Sequence, residues 1–124
     1  MIRPRTIDRA IDIVVAHLDP EQVYVIGSYA TGTATVTSDL DLLIVQKSRE
    51  TKRKRDERVE ILLAPLLIPV DVNVYTPDEF DEERGQRFGF ARITTELQGK
   101  LVYSRELGRC GAFVDTGART AVRP

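Results

Sequence analysis

The stretch Gln22-Val23-Tyr24-Val25-Ile26-Gly27-Ser28-Tyr29-Ala30-Thr31-Gly32, followed after the Thr-rich residues 33–38 by Asp39-Leu40-Asp41-Leu42-Leu43-Ile44-Val45, decides how the rest of the chain is read. Gln22 to Ile26 is a short β-rich run that stops at a Gly-Ser pair, which predicts a strand, a tight turn, then one or two turns of helix. Thr33 to Ser38 reads as a loop. Asp39 to Val45 reads as a second strand, and its apolar run predicts burial on both faces for most of its length. Charge enters that strand only at its beginning. Residues two apart on a strand share a face, so Asp39 and Asp41 present two carboxylates side by side, at the strand end nearest the Gly27-Ser28 turn.

Two close anions need a cation. Magnesium takes oxygen ligands, keeps several waters, and commonly binds one or two protein carboxylates together with substrate phosphates. Gly27 lets the backbone approach a phosphate closely, and the amides and hydroxyl around Ser28 are placed to hold the outgoing phosphates. A nucleoside triphosphate would complete such a site.

Outward from this stretch the pattern is that of one α/β unit. Ahead of it, Ile7, Ala10, Ile11, Val14, Val15 and Leu18 recur at helical spacing after Pro4, predicting an amphipathic helix that ends before Asp19-Pro20. His17 falls at the end of that helix, where a cation meets the dipole favourably, and it has no catalytic partner nearby in sequence. Beyond Val45, a second helix is expected to be charged from Lys47 to Arg58 and more buried towards Leu67, with Pro65 and Pro69 closing it. Val70 to Tyr75 predicts a third strand. Asp71 is its lone acid and shares a face with Asn73 and Tyr75. If the second and third strands are neighbours, Asp71 approaches Asp39 and Asp41 and supplies a base for an attacking hydroxyl. Thr76-Pro77-Asp78-Glu79 marks a helix start, with Thr76 as N-cap. Phe88, Phe90, Ile93 and Leu97 offer the face of a further helix that Gly99 ends, and Leu101-Val102-Tyr103 finishes extended. No repeat or linker divides the chain, so residues 1–103 are expected to form the domain and 104–124 a flexible tail.

Composition narrows the function classes. The 124 residues are 42% hydrophobic and 30% charged, the balance of one folded globular domain, with no room for a separate substrate domain. A net charge of −1 gives no global pull towards nucleic acid. Cys110 and His17 are each the only residue of their kind, so no disulfide and no Cys/His zinc site is available and metal chemistry must use oxygen. No apolar run approaches a membrane span and no signal-peptide pattern leads the chain, so a cytoplasmic protein is expected. Lys52-Arg53-Lys54-Arg55 reads as the solvated half of a helix, with partner docking as the second choice, and the acids from Asp78 to Glu83 as a dipole-favoured first turn without catalytic role. Tyr24, Phe80, Phe88, Phe90 and Phe113 read as core or interface, since no basic stripe interleaves with them.

The Gly27-Ser28 pair, ten intervening residues, then Asp39-Leu40-Asp41 resembles the signature of the polymerase beta-like nucleotidyltransferases, in particular the minimal nucleotidyltransferase family of prokaryotes. The likeness extends to about residue 103, since Val70 to Pro77 looks like the family's third-acid strand and Ile93 to Tyr103 like its closing segment. Where family members often carry basic residues after the Gly-Ser pair, this sequence has Tyr29 to Thr33. The resemblance implies a small mixed sheet of three or four strands flanked by helices. It implies that Asp39, Asp41 and Asp71 hold one or two magnesium ions, with manganese as an alternative. Asp71 would activate the acceptor hydroxyl, and Gly27 and Ser28 would bind ATP. Many such small proteins are similar to antitoxins that pair with a helical HEPN-domain ribonuclease, which implies transfer of AMP from ATP to a tyrosine hydroxyl of that toxin. Direct nucleic-acid and membrane partners are not expected. Two other readings stand beside this one: a non-catalytic antitoxin that masks its HEPN partner, and transfer to a small molecule such as an aminoglycoside.

Overall fold

Ile7, Ala10, Ile11, Val14 and Leu18 form the buried stripe of the first helix, α1 (Pro4–Leu18), as their spacing requires. The computed structural model describes residues 1–85, 89 and 99–113. After α1 come β1 (Gln22–Ile26), the single turn α2 (Ser28–Thr31), β2 (Leu40–Val45) and α3 (Lys52–Leu63). A 3-10 turn over Ala64–Leu66 leads to β3 (Val70–Tyr75), α4 (Pro77–Gly85), β4 (Lys100–Ser104) and β5 (Gly108–Arg109). The expected helix over Phe88, Phe90, Ile93 and Leu97 lies outside the described residues.

The strands form one sheet in the order β3-β2-β1-β4-β5. Only β2 and β3 run parallel, and the other neighbours are antiparallel. A parallel pair needs a crossover, and α3 provides it. The fold is thus the expected α/β type with a mixed sheet flanked by helices, and among the described residues the sheet has five strands, β5 being a two-residue addition.

Side-chain alternation along β2 divides the apolar residues between two cores. Leu40, Leu42 and Ile44 face a core completed by α1 and by Val59 and Leu63 of α3. Leu43 and Val45 face a second cluster with Tyr24, Ile26, Tyr75 and Phe80. The whole run from Leu42 to Val45 is buried, as a strand covered on both sides must be. Asp41 falls on the face of Leu43 and Val45 by the same period of two.

Several sequence expectations are corrected. The charged helix begins at Lys52, not Lys47, capped by the Thr51 hydroxyl, which accepts from the Lys54 N–H at 3.3 Å. Its basic run is not simply solvated: Arg55 is 3% exposed. Towards its end Ile61 and Leu67 face solvent at 68% and 90% exposure, so burial does not rise steadily along the segment. The boundary at residue 104 also moves. Gly108–Arg109 pair with β4, the Arg109 guanidinium grips Asp8 and Asp12 of α1, and the Phe113 N–H donates to the Asp8 carboxylate at 2.8 and 3.0 Å. The domain therefore includes residues 104–113, because a β-hairpin and an ion pair to α1 hold them. No described helix is long and apolar enough to cross a membrane.

Candidate active site

The turn after β1 exists because of Gly27. Its φ of +72° and ψ of −149° belong to a backbone region that L side chains rarely adopt. A Cβ there would also stand 2.5 Å from Oδ2 of Asp41. The Gly27 carbonyl then accepts the N–H groups of Ala30 and Thr31 at 3.0 and 3.1 Å, closing α2. The loop from Thr31 to Ser38 is tied by its own hydroxyls, Thr31 to Thr33 at 2.9 Å and Thr35 to Thr37 at 3.2 Å.

Ile26 is the β1 partner of Asp41, so the Gly27 turn and the carboxylate end of β2 meet by strand pairing. On its other side β2 pairs with β3 in a register that sets Asp41 directly opposite Asp71, Leu43 opposite Asn73 and Val45 opposite Tyr75. Asp39 precedes β2 in the connecting loop and is exposed, as is Asp71, while Asp41 is half-buried. The structure thus brings together Asp41, Asp71 and Gly27, with Asp39 and Ser28 bordering them in the adjoining loop and turn.

The electrostatics of this group are those of uncompensated like charge. Burial, then Asp71, then Asp39, push the Asp41 carboxyl up from 3.8 to about 6. Among the described residues no ion pair reaches any of the three. No three His, Cys, Asp or Glu side chains among those residues converge as a ready metal cage. The three aspartates form an open cluster instead of a closed one. Its all-oxygen donors and unbalanced charge fit a hard divalent cation that keeps water and substrate phosphates in its remaining positions.

Sequence reasoning missed a second charged group towards the C-terminal end of β3. Arg55 forks onto Glu79 at 2.9 and 3.0 Å, and Glu79 also accepts the Thr76 N–H at 3.0 Å while its own N–H donates to Thr76 Oγ1. This is a capping box joined to a buried guanidinium. Lys52 donates to Asp56 at 2.8 Å and to Asn73 at 3.1 Å, and its ammonium stands 5.2 Å from the centre of the Tyr75 ring. The Asp56 carboxylate accepts the Val74 N–H at 2.8 Å on the outer edge of the sheet. The sequence traces of this network are the four-residue spacing of Lys52 and Asp56 and the Thr76-x-x-Glu79 helix start; neither points to Arg55. The His17 Nδ1 lies 3.0 Å from the Ile13 carbonyl oxygen.

The nucleotidyltransferase domain family model matches residues 7–97, about three-quarters of the chain. The chain belongs to the nucleotidyltransferase domain family. The fold of this nucleotidyltransferase domain is similar to a crystal structure from Sulfolobus solfataricus, of a protein provisionally assigned as a nucleotidyltransferase. The TM-score is 0.57 at 23% identity, covering 86% of this chain and 84% of that one. Among curated proteins no relative matches the chain. The family membership assigns nucleotidyl transfer as the general activity of the domain.

Proposed function

We propose that this nucleotidyltransferase domain is a metal-dependent protein adenylyltransferase of the cytoplasm. It acts as an antitoxin that moves AMP from ATP to a hydroxyl, a tyrosine hydroxyl by preference, of a cognate HEPN-domain ribonuclease and so silences it. The observation that carries the catalytic part is the register that sets Asp41 opposite Asp71 while strand pairing holds Gly27 against Asp41. The exposure of Asp39 and Asp71 supports a macromolecular acceptor, since a bulky surface can reach the site.

In this reading Asp39 and Asp41 hold magnesium, or manganese in its place, with Asp71 as the third ligand. The metal supplies charge neutralisation of the phosphates and a lowered pKa for the acceptor hydroxyl. Gly27 admits the phosphates close to the backbone, and Ser28 with its amide holds them. Asp71 takes the acceptor proton as the hydroxyl oxygen attacks the α-phosphorus. The bond from that phosphorus to the bridging oxygen breaks, and pyrophosphate leaves. In-line positioning and electrostatic stabilisation do most of the catalytic work in such a transfer.

A second reading, masking of the HEPN partner without chemistry, draws on one observation: no Lys, Arg or His occurs between Pro20 and Gln46, around the phosphate turn. Incubation with labelled ATP, magnesium and the protein encoded by the neighbouring gene separates the two. Labelling of the partner that disappears in Asp39→Asn and Asp41→Asn is the expected result. Inhibition of the ribonuclease that persists in both variants, without labelling, overturns the enzymatic reading.

A further inference from the structure

The connections into β2 and β3 both arrive at the carboxylate end of the sheet, because those strands run parallel. Each connection carries an apolar side chain turned out to solvent. Val36 stands three residues ahead of Asp39 and is 79% exposed. It belongs to a formed turn, in which the Ser38 N–H donates to the Thr35 carbonyl at 3.0 Å and the Thr35 N–H to the Ser38 hydroxyl at 2.9 Å. Leu67 stands four residues ahead of Asp71 and is 90% exposed. The two connections meet where the Leu40 N–H donates to the Pro69 carbonyl at 2.9 Å, and Asp41 and Asp71 follow as register partners. Two exposed apolar residues thus border the carboxylates.

Leu67 is held there at a cost. It ends the 3-10 turn with φ 55° and ψ 42°, the left-handed region that helix ends usually give to glycine. A bulky side chain in that region is strained, and a leucine in water forgoes burial. Among the described residues the other non-glycine with positive φ is Asp19, a residue type that tolerates it. Strain and exposure at one residue, without return inside the fold, mark a functional position.

Charge decides what covers this rim. Residues 20–46 contain no Lys, Arg or His, and neither do residues 59–83, so the segments that build the rim and its carboxylates bring no cationic side chain. Lys52, which reaches this face of β3 at Asn73, is engaged by Asp56. A complementary occupant carries apolar surface and positive charge together. The acceptor of the transfer has to lay its hydroxyl at Asp71, so its surface is the one that meets the rim.

We propose that Leu67 and Val36 form the docking rim for the acceptor protein, which presents an apolar pocket to Leu67 and basic residues around its hydroxyl. This docking rests on the proposed transfer to a protein, and to that reading it adds the surface by which the acceptor is chosen.

The test compares wild type with Leu67→Gly/Val36→Thr, using labelled ATP, magnesium and the protein encoded by the neighbouring gene. Glycine relieves the left-handed backbone and threonine keeps the branched shape, so the double variant is expected to unfold at the wild-type temperature or above it. Its kcat/KM for labelling the partner is expected to fall about tenfold, through KM, with calorimetric affinity for ATP unchanged. Partner binding to wild type is expected to weaken as salt rises, because the partner brings the cations. Leu107→Ala, which trims an exposed leucine at the opposite end of the sheet, is expected to label as wild type. Wild-type kcat/KM in the double variant, a parallel loss of ATP affinity, an equal loss in Leu107→Ala, or salt-independent partner binding overturns this inference alone. So does a wild-type dimer in sedimentation that the double variant dissociates, since the occupant is then a second copy. A wild-type chain that binds ATP but labels no partner overturns the functional reading, and the docking with it.

Discussion

Two groups of charge lie towards opposite ends of β3, and the fold treats them in opposite ways. At one end Arg55, almost wholly buried, is matched by Glu79, whose carboxyl is held below its ordinary range, first by the bond from Arg55. At the other end Asp41 is pressed towards neutrality at about 6 by burial and by Asp71 and Asp39. The first group is paired within the chain and ties α3 to α4, leaving only the buried Arg55 Nε without a hydrogen-bond partner among the described residues. The second gathers like charges at a cost in stability, and the cost is recovered only by something the chain does not supply. Neutrality, more than density of charge, separates the part of this molecule that holds the fold from the part that binds.

The largest expected effect tests the unbalanced group. Asp41→Asn should lower nucleotidyl transfer by about 10²- to 10³-fold or more, while raising stability by about 1 kcal/mol after solvent screening. Steady-state kinetics beside urea unfolding checks both, and an active or destabilised variant would break the comparison. Glu79→Gln tests the balanced group: stranding Arg55 should cost about 2–3 kcal/mol in chemical denaturation, with ATP affinity preserved. Gly27→Ala falls between the groups. It should cost about 2 kcal/mol from backbone strain, and displacement of the Asp41 carboxylate should lower activity as well.

The smallest effect is the sharpest in sign. Between about pH 4 and 6 the folded chain retains a proton on Asp41 that the unfolded chain has released, so this group makes stability fall as pH rises, by about 1 kcal/mol when screened. Glu79 acts the other way: its depressed carboxyl contributes above its unfolded value of 4.5 and the contribution is lost on acidification. Thermal unfolding of wild type against Asp41→Asn across this window should show the variant gaining steadily towards pH 6. A difference that does not change with pH would mean that Asp41 is not held among like charges.

Much of the site was legible because its chemistry follows from short-range periodicity. The limits of β3 and the N-cap role of Thr76 match expectation to the residue. The β2 run was read correctly apart from Asp39, which stands just outside the strand. The misreadings share one cause. Arg55 looked solvated because a helix pattern cannot show that a glutamate 24 residues later will meet its guanidinium. Arg109 looked like part of a tail because its partners lie 97 and 101 residues away on α1. The contact between Ile2 and Tyr29 left no pattern at all, since a backbone N–H carries no residue signature.

By itself the sequence determined that a Gly-Ser turn would end a strand, that Asp41 would lie near the start of the next buried strand, and that Asp71 would share a face with Asn73 and Tyr75. Turn propensity and the two-residue period of strands act over a few residues, and those are written locally. Which strands became neighbours was decided only by the tertiary structure. The parallel crossover through α3 set Asp41 against Asp71, and the packing of α1 brought the Ile2 N–H to the Tyr29 hydroxyl. Those meetings depend on which apolar faces bury one another across the whole chain, a choice made by the packed core and not by any single stretch.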